Sequence, residues 1–363
     1  MKKWIAGFLT TIFAVGMLNA FAVECNGGEC NGGWANGCCT QECGAYLSLE
    51  ALLWKACRNN MDYALEGNLT AAAPGLIQKG KIHEPSFDWD IGFRAALGYR
   101  LDCDRWDIRA EYTHFKTDAS GSVTDSNIAA NPAFMATRWH PSLNAAGNPL
   151  VDLSFEKGSA KFEMTYDVID IILGASYCPC PSFELHPFGG VRGLFLEQTA
   201  NITYKGDEFG ALEGGFVDWK SDYTAFGLHG GTDWYYHVCG DFSFFGNIAG
   251  SLVVGEPDNT VTFHYDDQTA ATGDDTILHV SESEHCHMTC GCDFALGLMW
   301  ERCCGDTVVA LTIGYEMHQW NNVPDMRNFT GGQPAGVGFV ALSKRDDARL
   351  GFHGLFIRTR VDF

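Results

Sequence analysis

The sequence predicts an all-β chain folded as a transmembrane, antiparallel, up-and-down β-barrel of about ten strands. Three observations lead there. Long segments alternate between apolar and polar residues, their connections alternate between very short and very long, and the last alternating segment runs to Phe363. Alternation with a period of two puts one strand face in an apolar medium and the other in a polar one.

The clearest segment places Phe87, Trp89, Ile91, Phe93, Ala95, Leu97, Tyr99 and Leu101 on one face. Asp88, Asp90, Gly92, Arg94, Ala96, Gly98 and Arg100 fall on the other. Strands of soluble sandwiches usually run ~3–10 residues. This segment is longer and suits a tilted membrane crossing of ~9–11 residues with extensions at both ends. Segments of the same kind lie near 44–57, 86–101, 104–118, 161–177, 184–200, 217–237, 240–255, 285–301, 306–321 and 348–363. The turns at 101–104, 178–181, 238–240 and 303–306 are short, whereas 58–85, 118–160, 201–216, 256–284 and 322–347 are long. Short periplasmic turns and long extracellular loops are the pattern of outer-membrane barrels. An even strand count puts both ends on the periplasmic side, and a strand pair hidden in 119–160 would raise the number to twelve.

The face expected to meet lipid is apolar in most segments. Trp106, Ile108, Ala110 and Tyr112 supply it in the third, and Ile169, Ile171, Leu173, Ala175 and Tyr177 in the fourth. Phe226, Leu228, Trp234 and Tyr236 supply it in the sixth, and Phe242, Phe244, Ile248, Leu252 and Val254 in the seventh. Aromatics at segment ends, such as Tyr99, Trp106, Tyr177, Trp234 and Trp300, fit the girdles found where a barrel meets the headgroups. In the last segment Leu355, Ile357, Thr359, Val361 and Phe363 share a face. A C-terminal aromatic strand resembles the insertion signal that barrel-assembly machinery reads, which makes Phe363 the expected signal residue and that machinery an expected partner, together with outer-membrane lipid.

Export is expected on separate grounds. Lys2 and Lys3 precede the apolar run Trp4–Leu18, and Ala20-Phe21-Ala22 forms a small-residue cleavage site, the layout of a signal peptide over residues 1–22. Beyond it no apolar stretch reaches the ~20 residues that a spanning helix needs. The reading is therefore a signal peptide (1–22), a Cys- and Gly-rich periplasmic segment (23–43) and a barrel (44–363). Net charge is −21 over 363 residues, which excludes nucleic acid as a partner because a phosphate binder needs a basic face.

The fifteen cysteines agree with an oxidising compartment. Cys25, Cys30, Cys38, Cys39 and Cys43 precede the first strand, and Cys103, Cys178, Cys180, Cys239, Cys303 and Cys304 fall at or beside the short turns. The topology collects these disulfide candidates at the periplasmic rim. There they suit internal bridges, or cross-links to envelope proteins and other copies of the chain; connectivity cannot be read from spacing. The spacing does not match the Cys pairs of structural zinc sites. The group His285, Cys286, His287, Cys290 and Cys292 divides between the two faces of a strand, so no metal and no cofactor are expected.

Several stretches resemble the pore-forming outer-membrane proteins of Legionella and chlamydia-related bacteria, the major-outer-membrane-protein-like group. They are Leu49-Glu50-Ala51-Leu52-Leu53-Trp54-Lys55, Pro187-Phe188-Gly189-Gly190-Val191-Arg192-Gly193, Phe226-Gly227-Leu228-His229-Gly230-Gly231-Thr232-Asp233-Trp234, Phe242 to Gly250, and His353 to Phe363. The resemblance implies a surface-exposed barrel with porin-like activity, in an envelope held by disulfide networks, and brings no catalytic residues.

By alternation Asp88, Asp90, Arg94, Arg100, Arg109, Glu111, Arg192, Arg358 and Arg360 point inward. They either line an aqueous lumen and set ion preference, or form Arg–carboxylate networks that fill a narrow barrel, since about eight strands leave room only for side chains. A porin for passive diffusion of small solutes and a non-conducting structural or adhesin-type barrel thus both stay open. His83, His114, His264 and His318 fall near outer strand ends, but no nucleophile–base spacing accompanies them, so an enzyme is not expected.

Overall fold

The computed structural model describes residues 44–69, 77–101, 106–124, 133–137, 156–180, 182–205, 214–266, 275–304, 307–332, 340–345 and 348–363. Segments 1–22 and 23–43, with Cys25, Cys30, Cys38, Cys39 and Cys43, lie outside these residues, as does Cys103.

Ten strands close the barrel: β1 (Gly44–Arg58), β2 (Trp89–Arg100), β3 (Trp106–Thr124), β4 (Lys157–Ala175), β5 (Phe183–Lys205), β6 (Gly214–Cys239), β7 (Phe242–Asp266), β8 (His287–Cys304), β9 (Thr307–Val323) and β10 (Ala348–Asp362). Each pairs antiparallel with its sequence neighbours. β1 also pairs with β10, from Tyr46 opposite Asp362 to Arg58 opposite Leu350, which leaves no edge in the ring. No twelve-strand barrel forms. Ala133–Thr137 does form a strand, but it joins Ala64–Leu69 and Ile77–His83 in a separate three-stranded sheet. Arg327–Gly332 and Val340–Arg345 likewise make a hairpin of their own.

The outer face explains where the barrel sits in a membrane. Leu228, Ile248, Leu252, Ile313 and Leu355 are among a continuous belt of exposed apolar side chains, with Tyr99, Trp106, Tyr177 and Tyr236 at its short-turn edge. On β7 the belt runs from Phe242 to Val254, about 40 Å of strand, or roughly 28 Å of depth at a 45° tilt. Above it the outward positions turn polar, and Asp167, Glu197, Asp222 and Glu256 mark the change. β6 and β7 continue to 26 and 25 residues, carrying the barrel well past the belt on the long-loop side. The strands thus outrun the alternating segments at 217–237 and 240–255, because solvent satisfies their outward face there.

One stretch departs from simple alternation. Phe87 does not share the outward face of Trp89. The strand breaks at Asp88, and Phe87 turns inward to meet Phe162 edge-on at 5.8 Å. Asp88 is left exposed at the break instead of facing the interior.

Candidate functional site in the barrel interior

Every inward position faces a tube that ten strands leave narrow, so the contents of that tube decide what the barrel can do. Charged side chains fill its middle. Arg94 on β2 lies 2.8 Å from Glu50 on β1 and 3.2 Å from Glu316 on β9, and its Nε donates to the Thr113 hydroxyl. Arg358 on β10 holds the other Glu50 oxygen at 2.5 Å. Arg192 on β5 grips both oxygens of Asp170 at 2.7 and 2.8 Å and reaches Asp293 on β8 at 2.8 Å. His318 joins the two groups, with Nδ1 2.8 Å from Asp293 and Nε2 3.4 Å from Glu316. Most of these charges are buried, and burial without partners would cost several kcal/mol each; the pairing across seven strands offsets that cost and ties the wall together.

Toward the short turns lies a second network. Tyr46 donates its hydroxyl to Asp107 at 2.7 Å, His186 meets the other Asp107 oxygen at 2.5 Å, and Arg109 approaches Asp233. Arg100 pairs with Asp362, and Arg360 with Glu301 and Asp362.

On the long-loop side the charges give way to rings. Trp54 stacks on Phe352 at 5.6 Å and tilts against Phe115 at 5.3 Å; Tyr166 lies 4.6 Å from Phe352. Trp320 donates its Nε1–H to the Tyr166 hydroxyl, and Trp54 donates its own to Glu316. Trp54, Phe115, Trp320 and Phe352 are at most 1 % exposed. With Tyr166 they link β4 to β9 and β10 across the bore.

Interior glycines let them do so. Trp320 sits opposite Gly291 and Phe356 opposite Gly314. A Cβ on Gly291 would lie 2.8 Å from the Trp320 ring, and one on Gly314 would lie 2.6 Å from that of Phe356. Tyr46 opposite Gly98 and Phe115 opposite Gly92 repeat the arrangement. An aromatic laid over a cross-strand glycine fills the lumen instead of standing up into it.

Between rings and charges lies a cavity of about 60 Å³, lined by groups that include Arg94, Arg109, Glu111, Arg192, Asp233, Asp293, Glu316 and His318. Its volume admits a few water molecules.

Of the inward residues expected from alternation, Arg94, Arg100, Arg109, Glu111, Arg192, Arg358 and Arg360 all meet in these networks. Asp90 accepts a hydrogen bond from Thr117 at 2.6 Å beside the aromatic layer. Asp88 stands apart, as described above. Sequence reasoning did not single out Glu50, Asp170, Asp293 or Glu316, although each sits at an inward position of an alternating segment. A carboxylate at such a position is the signal that could have found them. His318 is not at an outer strand end but faces the interior, bridging Asp293 and Glu316. His83, His114 and His264 do lie outside the interior, paired with Glu66, Asp167 and Asp218.

The cysteine–histidine group near 285–292 does not converge. Cys290 and Cys292 are exposed on the outer face with free thiols, Cys286 occupies a turn at φ 65°, and His287 is buried facing the other way. No group of potential metal ligands occurs among the described residues. Cys178 and Cys180 stand at the β4–β5 turn; for Cys239, Cys303 and Cys304 the strands are described but the side chains are not.

A family profile described as the Legionella pneumophila major outer membrane protein precursor matches residues 40–363. No curated protein matches the chain in sequence. Among solved structures, the chain is similar to the outer membrane protease OmpT from Escherichia coli at 10% identity, covering 88% of this chain and 96% of that one, with a TM-score of 0.42. The toluene transporter TodX of P. putida gives 10% identity, coverages of 88% and 89%, and a TM-score of 0.30. A major outer membrane protein from Thermus thermophilus gives 11%, 88%, 99% and 0.29 in the same order. At these scores none of the three bears on what this chain does.

Proposed function

The chain belongs to the Legionella pneumophila major outer membrane protein family and is an outer-membrane β-barrel, and from that premise we propose that it is a closed barrel, a surface and scaffold component of the envelope. The observation that carries this is the aromatic layer of Trp54, Phe115, Tyr166, Trp320 and Phe352 lying across the bore. Below it, paired charges occupy the positions that in an open pore would hold water. Long loops and strand extensions face the cell exterior in this reading, and both described chain ends face the periplasm. Cysteines at the short turns, with those of the segment before β1, then lie where disulfides to neighbouring envelope proteins or other copies can form. The protein is not an enzyme in this reading.

Planar-bilayer recording on the refolded protein tests it. Silence from a correctly folded barrel is expected; steady single-channel steps that change on substituting Arg94 or Arg358 would overturn it. Non-reducing gels of isolated envelopes test the cross-links, and finding monomer alone would remove them.

The porin reading keeps one specific observation in its favour, the charged cavity beneath the rings. Passive diffusion of small solutes would then require the aromatic layer to swing aside, and channel steps in the unsubstituted protein are its test.

A further inference from the structure

We propose that the seam between β1 and β10, at the long-loop edge of the apolar belt, binds the phosphate of an anionic lipid headgroup through Lys55, His353 and Arg349. This rests on the barrel's membrane placement and on nothing about its lumen. Along these strands the belt ends at Leu53, Leu355 and Ile91. The next outward positions are Lys55, His353 and Trp89, and Lys55 stands directly opposite both of the others. An interfacial Trp beside a long-stemmed Lys is the composition that seats a side chain at headgroup depth.

The cations here are uncommitted. Lys55 and Arg349 have no ion pair among the described residues, whereas elsewhere on the outer wall Lys161 is held by Glu163 and Lys220 by Asp222. The far wall, on β4 to β7, presents Asp167, Glu197, Asp222 and Glu256 at the belt edge, which repels anions. A lipid phosphate near this chain of net charge −21 is therefore drawn to the β1–β10 seam. The seam is also held in place. The Arg349 backbone N–H donates to the Asn59 side chain at 2.5 Å and its carbonyl accepts from the Asn59 N–H. His353 is packed edge-on against Trp89 at 5.5 Å, with its Nδ1 2.5 Å from the Tyr315 hydroxyl. With that hydroxyl donating to Nδ1, Nε2–H remains a donor. Gly351, between His353 and Arg349, adds no side chain, and a Cβ there would approach Gln319 Oε1 at 3.0 Å. The Gln319 side chain covers this buried glycine, and the Lys55, His353 and Arg349 donors flank it on the outer surface.

The test is native mass spectrometry of the folded full chain released from vesicles of phosphatidylcholine with phosphatidylglycerol. The unsubstituted barrel should retain phosphatidylglycerol preferentially. Lys55→Gln with Arg349→Gln should cut that retention about 30-fold, roughly fivefold per cation, while Lys116→Gln on β3 leaves it unchanged. Equal retention by the double variant, or no preference in the unsubstituted barrel, overturns the proposal. Inorganic phosphate displacing the lipid at millimolar levels would also overturn it, by showing a free-phosphate site. A barrel that fails to insert into vesicles would instead count against the membrane placement.

Discussion

Arg192 contacts Asp170, Asp293, Ser251 and His229 at once, all of them buried. Removing it strands two carboxylates in a low-dielectric interior, so Arg192→Met should destabilise the barrel by about 3–5 kcal/mol. Urea unfolding in detergent micelles, followed by tryptophan fluorescence, reads that loss. A second residue-scale prediction concerns the rings. Trp54→Ala with Phe352→Ala removes two of the side chains that span the bore, and each truncation costs about 3–5 kcal/mol. In a barrel that still folds, channel steps absent from the unsubstituted protein should appear in planar bilayers. Gly314→Val acts in the opposite sense: its Cβ meets the Leu296 carbonyl oxygen and the Phe356 ring, and overpacking should cost about 1–3 kcal/mol or more without opening the bore.

Each long strand lives in two solvents. Within the belt an outward position faces hydrocarbon, and beyond it the same face of the same strand meets water. Leu228→Arg near the middle of the belt should therefore cost about 2–4 kcal/mol, whereas Ser120→Arg on the exposed extension of β3 should be neutral within about 0.5 kcal/mol. Reversible unfolding in lipid vesicles compares the two. Equal costs would mean that the belt is placed wrongly. The same division explains why the outer extensions escape the alternation signal: residues 256–266 read as part of a long loop, yet Glu256, Asp258, Thr260 and Thr262 stand at outward positions of β7 while Asn259, Val261 and Phe263 fill the interior.

For the whole molecule the decisive feature is closure of β1 on β10. That pair brings Glu50 to Arg358 and Lys55 to His353, joining residues some three hundred positions apart. Phe363 follows directly, exposed at the short-turn end, with its backbone N–H donating to the Ala45 carbonyl. The insertion-signal reading of Phe363 predicts that Phe363→Ser slows assembly into membranes while leaving the unfolding midpoint of the assembled protein nearly unchanged. Pulse-labelled insertion assays alongside thermal unfolding separate these effects.

Alternation is a local property, set by the two-residue pleat, and the strand faces, the apolar belt and the inward Arg residues were legible from it, whereas a strand pair hidden in 119–160 left twelve strands open beside ten. The sequence by itself therefore determined that this chain is a barrel of ten or twelve strands with a charged interior. It did not decide whether that interior is open. That depends on which side chains meet across strands, and register belongs to pairs of strands. Only in the assembled ring does Trp320 fall opposite Gly291, Phe356 opposite Gly314, and Arg192 between Asp170 and Asp293. Read singly, the same residues serve an aqueous pore equally well; brought into register, the rings meet across the bore and the charges pair with one another.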